Sequence, residues 1–551
     1  MLRRLPFAIA ILCIFYLSET TAQNATISVP LNQTISLVNK ELFGHFVYLN
    51  RSSTLEVILL PARKSISFII FQVHSHLHNV ILYNNTLSKN NYANGTNVGL
   101  YGLAKPKFDT YYIWNPNVID LKVYVSIHGY TLLDPIPGGC NMEFPVPVTP
   151  FLHTTYTKDY VFVDAGAAKG PNDKLCTSIT DPIVQFYRFY LPEESFDADT
   201  YFKGLRNMLT LDVIEENGDL IPADAVWKMR RMLSAYPGTG SIFVAVAYST
   251  TTKAYSVYVP TYSYACSPLK DDCDLIDEVL PKFVCASMIF MGIFICYFGH
   301  KFFKTEMFLT GVGTGFIVTY ILISLIAEFS LTALTSVSLL CGLFFGAIWL
   351  LVWWFFGIPL LSVILPTLNL GFLFAAIMYY RMPGGQFVMQ NDFNFWTMFL
   401  FVMIVTSVFL VSMTFLSNIL CCAILGAYAI VYPIDYYLGS NTKYIMINVV
   451  RRAIVPNFNR AVLEPPFQWR DLLVTLLWAM LAITGFLYQH YQNRSRPPFP
   501  PPPRSISPRS PGDVLNGRRI QRYGAIGSTS IESGYSANPS VLRGDRTTLL
   551  A

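Results

Sequence analysis

The sequence predicts a multi-pass α-helical membrane domain of seven spans, preceded by a mostly β extracellular or lumenal region of two tandem β-sandwich-like modules. Three observations predict this fold class. First, 53% of the 551 residues are hydrophobic and only 13% are charged, which is typical of a membrane protein. Second, the long apolar segments all follow Asp277. Third, the region before Asp277 is rich in strand-like segments and glycosylation acceptors.

Residues 1–22 have the layout of a cleavable signal peptide. Arg3 and Arg4 precede an apolar stretch that ends at Leu17, and small residues follow as far as Ala22. Such a short run crosses a hydrocarbon core of ~30 Å poorly, because a helix rises only ~1.5 Å per residue. We therefore expect cleavage close to Ala22.

The region after the signal peptide, residues 23–280, is named the ectodomain here. It carries five Asn-X-Ser/Thr acceptors, at Asn24, Asn32, Asn50, Asn84 and Asn94. Five acceptors behind a signal peptide indicate a glycosylated extracellular or lumenal face.

The ectodomain is predicted to contain two β-rich modules, residues 23–148 and 149–280. Its strand-like segments are rich in β-branched and aromatic residues and are bounded by Gly, Pro and Asn. They cover residues 65–73, 79–84, 121–133, 183–191, 240–249 and 253–260. Helices are predicted over residues 197–211 and 223–233.

Four of the ten cysteines lie in the ectodomain: Cys140, Cys176, Cys266 and Cys273. An even number in an oxidising compartment indicates two disulfides, for which three pairings exist. We favour the local pairing, Cys140 with Cys176 and Cys266 with Cys273.

The membrane domain, residues 281–490, contains seven apolar segments that are long enough to span a bilayer. They cover residues 282–300, 307–327, 331–352, 356–380, 395–416, 418–438 and 472–490. Seven crossings place the tail, residues 491–551, in the cytosol. The loop 439–471 conflicts with the positive-inside rule, because it carries five Lys and Arg residues yet is predicted outside. Either it forms an amphipathic helix at the outer surface, or one crossing is wrong.

The segment "VHSHLH" places His74, His76 and His78 at alternate positions of a predicted strand, which raises the possibility of a metal site. Three residues at this spacing extend over about 13 Å, which is too far for one ion without a bulge. We instead expect a solvent-facing strand edge and no metal. The motifs HExxH and GxSxG and a Walker loop do not occur, and we expect no catalytic residue, no cofactor and no nucleic-acid partner.

Ionisable and amide side chains in the membrane domain are candidates for function. These are Glu306, Asn369 and Asp435. The simplest expectation is that Glu306 pairs with Lys301 or Lys304 at the interface and that Asp435 lies at the outer boundary. The alternative is a transport pathway.

The tail is rich in Pro, Ser, Gly and Arg, and we expect it to be disordered and to attract anionic lipid. "FPPPP" (Phe499, Pro500 to Pro503) has the polyproline form that EVH1 domains bind. "YGAI" (Tyr523 to Ile526) and "DRTTLL" (Asp545 to Leu549 and Leu550) have the forms that clathrin adaptors bind. These signals favour the plasma membrane, the endosome–lysosome system, or both.

Several stretches resemble the transmembrane 7 superfamily member 3 family: "DPIPGGCNMEF", "TYSYACS", "CYFGHKFFKTEMF", "NVVRRA" and "PPFQWRDLL". The resemblance implies a multi-pass glycoprotein linked to cell survival and to damping of endoplasmic-reticulum stress, with no established enzymatic activity. It carries no site residues. We therefore expect a non-enzymatic receptor or scaffold that contacts membrane lipid, an unknown extracellular ligand and tail-binding proteins. The alternative is a transporter or channel-like protein of the plasma or endolysosomal membrane.

Overall fold

The computed structural model describes residues 25–31, 40–87, 92–140, 150, 152–171, 176, 181–224, 227–381, 387–495 and 497–500. Within these ranges the N-terminal half consists mainly of β-sheet, and the C-terminal half is helical. The predicted fold class is confirmed.

The first module is a sandwich of two sheets. Its strands are β1 (Ala25–Val29), β2 (Glu41–Leu49), β3 (Thr54–Leu59), β4 (Phe68–Ser75), β5 (Val80–Asn84), β6 (Tyr92–Gly95), β7 (Asn97–Leu103), β8 (Asp109–Trp114) and β9 (Leu121–Tyr130). One sheet has the order β1-β3-β8-β5-β6 and the other β2-β9-β4-β7. Leu55, Val57 and Leu59 alternate inward along β3, and Phe71 stacks on Tyr111 across the core.

The second module also has two sheets, of orders β10-β11-β14 and β13-β12-β15-β16, and β17 pairs with β15. Its elements are β10 (His153–Tyr156), β11 (Tyr160–Asp164), β12 (Ile183–Glu193), α1 (Ala198–Arg206), α2 (Leu211–Asn217), β13 (Asp219–Ile221), β14 (Arg230–Ser234), β15 (Thr239–Tyr248), β16 (Tyr255–Val257) and β17 (Thr261–Ser263). Asp197 caps α1 by accepting a hydrogen bond from the Thr200 amide at 2.7 Å.

The helix predicted over residues 223–233 is wrong, because Arg230–Ser234 forms β14 and pairs antiparallel with β11. Met232 and Leu233 are both buried, on opposite faces of the strand. Burial on two faces against neighbouring layers outweighs the helical propensity of Lys, Met, Arg and Leu in this segment.

Two disulfides lie in the ectodomain, and they join the cysteines that the local pairing proposed. Cys140 bonds to Cys176 and Cys266 bonds to Cys273. The second bond fixes the segment between β17 and the first membrane helix.

The two modules pack against each other through buried polar contacts. Lys40 lies in this interface, where it pairs with Asp134 and donates to the Tyr255 carbonyl at 2.9 Å. The Tyr201 hydroxyl donates to Asn97 of the first module at 2.6 Å. These contacts fix the orientation of one module on the other.

Seven described helices are long and apolar enough to span a membrane, as predicted. In chain order the helices of this half, including two short ones between spans, are α3 (Val279–Phe298), α4 (Phe303–Ile326), α5 (Leu331–Phe356), α6 (Pro359–Tyr380), α7 (Phe387–Gln390), α8 (Asp392–Val411), α9 (Thr414–Leu438), α10 (Tyr444–Ile454) and α11 (Trp469–Asn493). The spans α6 and α9 are the most buried and form the centre of the bundle. The other five expose apolar side chains, which suits a lipid environment.

Spans α4 and α5 approach closely through glycines. A Cβ on Gly346 would lie 2.6 Å from the Phe308 carbonyl oxygen, and one on Gly311 would lie 2.8 Å from the Gly346 Cα atom. Only glycine fits at such a crossing.

Candidate functional site

The segment between α9 and α11 lies against the second ectodomain module. Val462 and Leu233 form a parallel bridge, in which the Val462 amide donates to the Met232 carbonyl at 2.9 Å. The segment also contains the amphipathic helix α10, whose apolar residues include Tyr444, Ile445 and Val449. The basic loop 439–471 was interpreted either as an amphipathic helix at the outer surface or as the result of one wrong crossing. The structure supports the amphipathic helix, at the ectodomain-facing end of the bundle.

Arg451 of α10 makes the most extensive of these contacts. Its guanidinium donates to the Asp159 carboxylate at 3.0 Å and to the Ala235 carbonyl at 2.9 Å. It also donates to the Lys158 carbonyl at 2.5 Å, and its side chain is only 2% exposed. A planar guanidinium can satisfy several acceptors at once, which a lysine cannot.

Ectodomain carboxylates also pair with two other arginines of this segment. Arg460 lies 3.0 Å from Asp224, and Arg470 lies 2.7 Å from Glu194. Three of the five positive charges that conflicted with the loop rule are therefore matched by ectodomain carboxylates distant in sequence.

Three buried carboxyl groups meet at the same end of the bundle. Asp435 accepts hydrogen bonds from the amides of Thr442 and Lys443, at 3.2 Å and 2.6 Å. Asp471 accepts from the amides of Asn441 and Gln468, at 2.6 Å and 2.9 Å. The third group, Glu193 at the end of β12, accepts from the Asn441 side chain. This Glu193 cluster joins the ectodomain to the sixth and seventh spans.

Asp435 was expected at an outer boundary, and it lies at the ectodomain-facing end of the bundle with its side chain 0% exposed. The backbone turns back at Gly439, which has a φ of 76°, and the following amides then surround the carboxylate. Its nearest cation is Lys443, at 3.8 Å. Asp435 is thus a structural acceptor at the start of this turn.

Burial, and then the neighbouring Asp471 carboxylate, raises the pKa of Glu193 to about 8. The raised pKa favours the protonated form of Glu193 beside Asp471. With one of the two neighbouring carboxyl groups protonated, this contact between the second module and the last span avoids the cost of two buried charges.

Glu306 lies at the opposite end of the bundle and is 1% exposed. Its carboxylate accepts from the Thr310 hydroxyl at 3.1 Å, and the expected ion pair with Lys301 or Lys304 is not formed. Both lysines are exposed, whereas Glu306 shares the inward face of α4 with Phe303. The expectation was wrong because helical periodicity places the charges on different faces.

Asn369 lies within α6 and bonds to the second span, donating to the Thr314 hydroxyl at 2.8 Å. The three polar candidates of the membrane domain therefore occupy three separate places, and each has its own partners. Their arrangement is that of local structural contacts.

Phe499 packs against the membrane domain. Its ring centroid lies 5.3 Å from that of Phe303 and 5.6 Å from that of His300, and Trp353 lies in the same cluster. The described start of the "FPPPP" segment therefore contacts this protein's own aromatic residues.

His74, His76 and His78 do not share one face of a strand, because β4 ends at Ser75. His74 is fully buried, and its Nδ1 lies 2.6 Å from the Asn97 side-chain oxygen. Since β4 lies between β9 and β7, the expected solvent-facing edge is also wrong. Burial lowers the pKa of His74 to about 4. His76 instead contacts the Tyr264 hydroxyl at 3.1 Å.

Among the glycosylation acceptors, Asn50 and Asn94 are exposed and Asn84 is half-buried. Asn24 and Asn32 lie outside the described residues, as do residues 1–22 of the predicted signal peptide. The described range also ends before the remaining tail candidates, which are Pro503, Tyr523, Ile526, Asp545, Leu549 and Leu550.

Sequence reasoning did not identify Glu193 or the roles of Arg451 and Asp471. The excess of positive charge in 439–471 was a usable signal for the arginine contacts, because a basic outer loop requires acidic partners. Glu193 had no comparable signal, since in the sequence it belongs to an ordinary Pro-Glu-Glu segment just after the predicted strand 183–191.

These features define a seven-span membrane protein whose two-module β ectodomain is fastened to the helix bundle. Family models agree with this class: the TM7S3/TM198-like domain matches residues 285–490, the TM7SF3-like second immunoglobulin-like domain matches 135–269, and the TM7SF3-like N-terminal immunoglobulin-like domain matches 35–130. Similar proteins include transmembrane 7 superfamily member 3 of Homo sapiens and of Rattus norvegicus, each 30% identical over 84% of this chain and 85% of its own length. The chain belongs to the transmembrane 7 superfamily member 3 family.

A solved structure, the pre-peptidase C-terminal domain of collagenase from Bacillus anthracis, is similar over 19% of this chain and 95% of its own, at 17% identity. Its TM-score is 0.15.

Proposed function

We propose that this protein is a non-enzymatic receptor or scaffold that attenuates cellular and endoplasmic-reticulum stress and supports cell survival. The observation that carries the proposal is the attachment of the second module to the helix bundle by Arg451 and the Glu193 cluster. Because this attachment is made of buried, directional contacts, a ligand that changes the ectodomain also acts on the ends of the sixth and seventh spans.

The proposed orientation has the ectodomain outside the cytosol and the tail inside it. Exposed acceptors at Asn50 and Asn94 support the first half of this assignment, and the basic tail supports the second. Glycosylation mapping tests it: Asn50 and Asn94 should carry sugars, whereas the Asn-Arg-Ser sequence at Asn493 should carry none. Sugar on Asn493 would reverse the orientation.

We place the protein in the plasma membrane or the endosome–lysosome system, and we assign its tail to clathrin adaptors and EVH1-type domains. The support is the set of tail motifs. Undocking of Phe499 would precede EVH1 binding, because the same ring packs on Phe303 and His300 in this structure.

The functional test uses cells that lack the protein and re-express the wild type, a chain ending at Pro500, Arg451→Ala, or the control Arg494→Ala. We expect the wild type and the control to restore survival during endoplasmic-reticulum stress, and the other two to restore it poorly. Proximity labelling from both membrane faces should show tail-dependent recruitment. Full rescue by the truncated chain would contradict the scaffold role of the tail. Measurable solute flux in liposomes would favour a transporter instead.

A further inference from the structure

A cleft of about 780 Å³ lies between the second module and the ectodomain-facing ends of the fourth and seventh spans. Strands β12 and β13 form one wall. The end of α6 and the residues that precede α11 form the other. Its lining includes Arg188, Tyr190, Asp219, Arg381, Glu464 and Phe467. The Glu193 cluster lies next to this cleft but is separate from it.

Arg188 lines the cleft and is 98% buried, since its side chain is only 2% exposed. Its Nη2 atom donates to Glu464 at 3.0 Å, and its guanidinium stacks on the Tyr190 ring at 4.4 Å. The Nε and Nη1 atoms have no acceptor among the described residues. Buried guanidinium donors without acceptors are costly, and phosphate oxygens are acceptors that suit arginine well.

A second guanidinium stands at the mouth of the cleft. Arg381 follows the last turn of α6, is exposed, and lies over the Phe467 ring at 4.5 Å. It forms no ion pair with the part of the chain that the structure describes. Two arginines from different elements, one buried and one exposed, therefore converge on one volume.

The cleft also contains two carboxylates, which decide the net charge of a suitable ligand. Glu464 lies 3.0 Å from Arg188, and Asp219 lies 3.9 Å from it. The lining thus has two positive and two negative groups, so a polyanion would gain little from it. A zwitterion, with its phosphate near the arginines and its ammonium near Asp219 and the aromatic rings, is the better complement.

The position of the cleft indicates an amphiphile. Arg381 and Phe467 adjoin the ends of two membrane spans, and Phe467 and Trp469 are exposed large aromatics at this level. Aromatic and arginine side chains gather where a bilayer meets water. A headgroup in the cleft would leave its acyl chains beside the lipid-facing surface of α11.

We propose that this cleft binds the headgroup of a zwitterionic phospholipid, with Arg188 and Arg381 contacting the phosphate and Asp219 and Glu464 facing the ammonium group. The bound lipid completes the hydrogen bonding of Arg188. It also bridges β12 to the fourth and seventh spans, so it strengthens the attachment of the second module to the bundle.

The test uses the full chain in a non-ionic detergent, with thermal unfolding and native mass spectrometry as readouts. The probes are short-chain phosphatidylcholine, short-chain phosphatidylglycerol, glycerophosphocholine and inorganic phosphate. We expect phosphatidylcholine to raise the unfolding temperature and to remain bound in the gas phase. Glycerophosphocholine should act at higher concentration, because it lacks the chains, and inorganic phosphate should have no effect.

Arg381→Gln carries the mutational test, because Arg381 is exposed and its replacement does not disturb a buried group. Its apparent dissociation constant for phosphatidylcholine should rise about tenfold or more, the loss expected for one charge-assisted hydrogen bond. Arg188→Gln should raise it further, and Arg51→Gln on the exposed surface of the first module is the matched control.

Three outcomes would overturn the proposal. Tighter binding of phosphatidylglycerol than of phosphatidylcholine would show an anion site. An equal effect of inorganic phosphate would show a site for soluble phosphate rather than for lipid. An unchanged phosphatidylcholine shift in Arg381→Gln would show that lipid stabilises the bundle elsewhere.

Discussion

Replacing Arg451 with alanine should weaken the attachment of the second module more than any other single change in α10. The substitution removes donors to the Ala235 and Lys158 carbonyls, at 2.9 Å and 2.5 Å, and to the Ser234 hydroxyl at 3.2 Å. The Asp159 carboxylate is 45% exposed and would be hydrated in the variant, so losing its ion pair with Arg451 costs little stability. The buried Ala235 carbonyl left without a donor costs ~1–3 kcal/mol, and the part-buried Lys158 carbonyl costs less because water can reach it.

The sum is about 2–4 kcal/mol. For a unit of this size, each kcal/mol lowers the unfolding temperature by ~3 °C, so we expect a decrease of about 6–12 °C. Hydrogen exchange of the Arg230–Ser234 amides should also accelerate, because β14 has α10 and Val462 as neighbours.

The assay is thermal unfolding in detergent with hydrogen exchange followed by mass spectrometry, and Arg494→Ala at the exposed end of α11 is the control. Arg451→Lys should give an intermediate loss, since lysine keeps the charge but not the planar set of donors. If Arg451→Ala behaves like the control in both measurements, the contacts around α10 do not hold the module in place.

Three further predictions concern other parts of the molecule. Because the pKa of Glu193 is raised, its contribution to stability is fully present below the ordinary glutamate pKa of 4.5 and is lost as the pH rises through about 8. Glu193→Gln should therefore make the free energy of unfolding less dependent on pH between these values, as unfolding at a series of pH values would show. An unchanged pH dependence in the variant would refute the assignment. Gly346→Val should separate α4 from α5, because its Cβ would lie 2.6 Å from the Phe308 carbonyl oxygen. We expect the free energy of unfolding in detergent to fall by ~1–3 kcal/mol. The control Gly313→Ala, at an open position, should not show this decrease. Trp353→Leu should loosen the packing of Phe499 on the membrane domain and so increase the amount of protein pulled down by an EVH1 domain. Equal pull-down of the wild type and the variant would show that the packing of Phe499 does not compete with EVH1 binding.

The sequence was most informative where one physical requirement dominates. A bilayer requires about 20 apolar residues per crossing, so the seven spans were found with ends that differ from the helices by a few residues. Strands such as Phe68–Ser75 and Thr239–Tyr248 were found because β-branched and aromatic runs bounded by turn residues have few other interpretations.

Prediction failed where tertiary contacts decide the outcome. The segment Arg230–Ser234 has helical propensity but is drawn into a sheet by β11, more than sixty residues earlier in the chain. Glu306 and the buried His74 were misplaced because side-chain burial depends on which neighbouring element covers each face. The Glu193 cluster brings residues 193, 435 and 471 together, and no local sequence pattern predicts that residues so far apart in the chain meet.

The second module is joined to the bundle at three places: through the chain that enters α3 beside the Cys266–Cys273 bond, through α10, and through the Glu193 cluster. With three separated points of attachment, the ectodomain cannot pivot freely about its connecting segment. The first module is in turn held on the second by Lys40 and Tyr201. A bivalent ligand that grips the first modules of two molecules would therefore set the angle between their helix bundles as well as the distance.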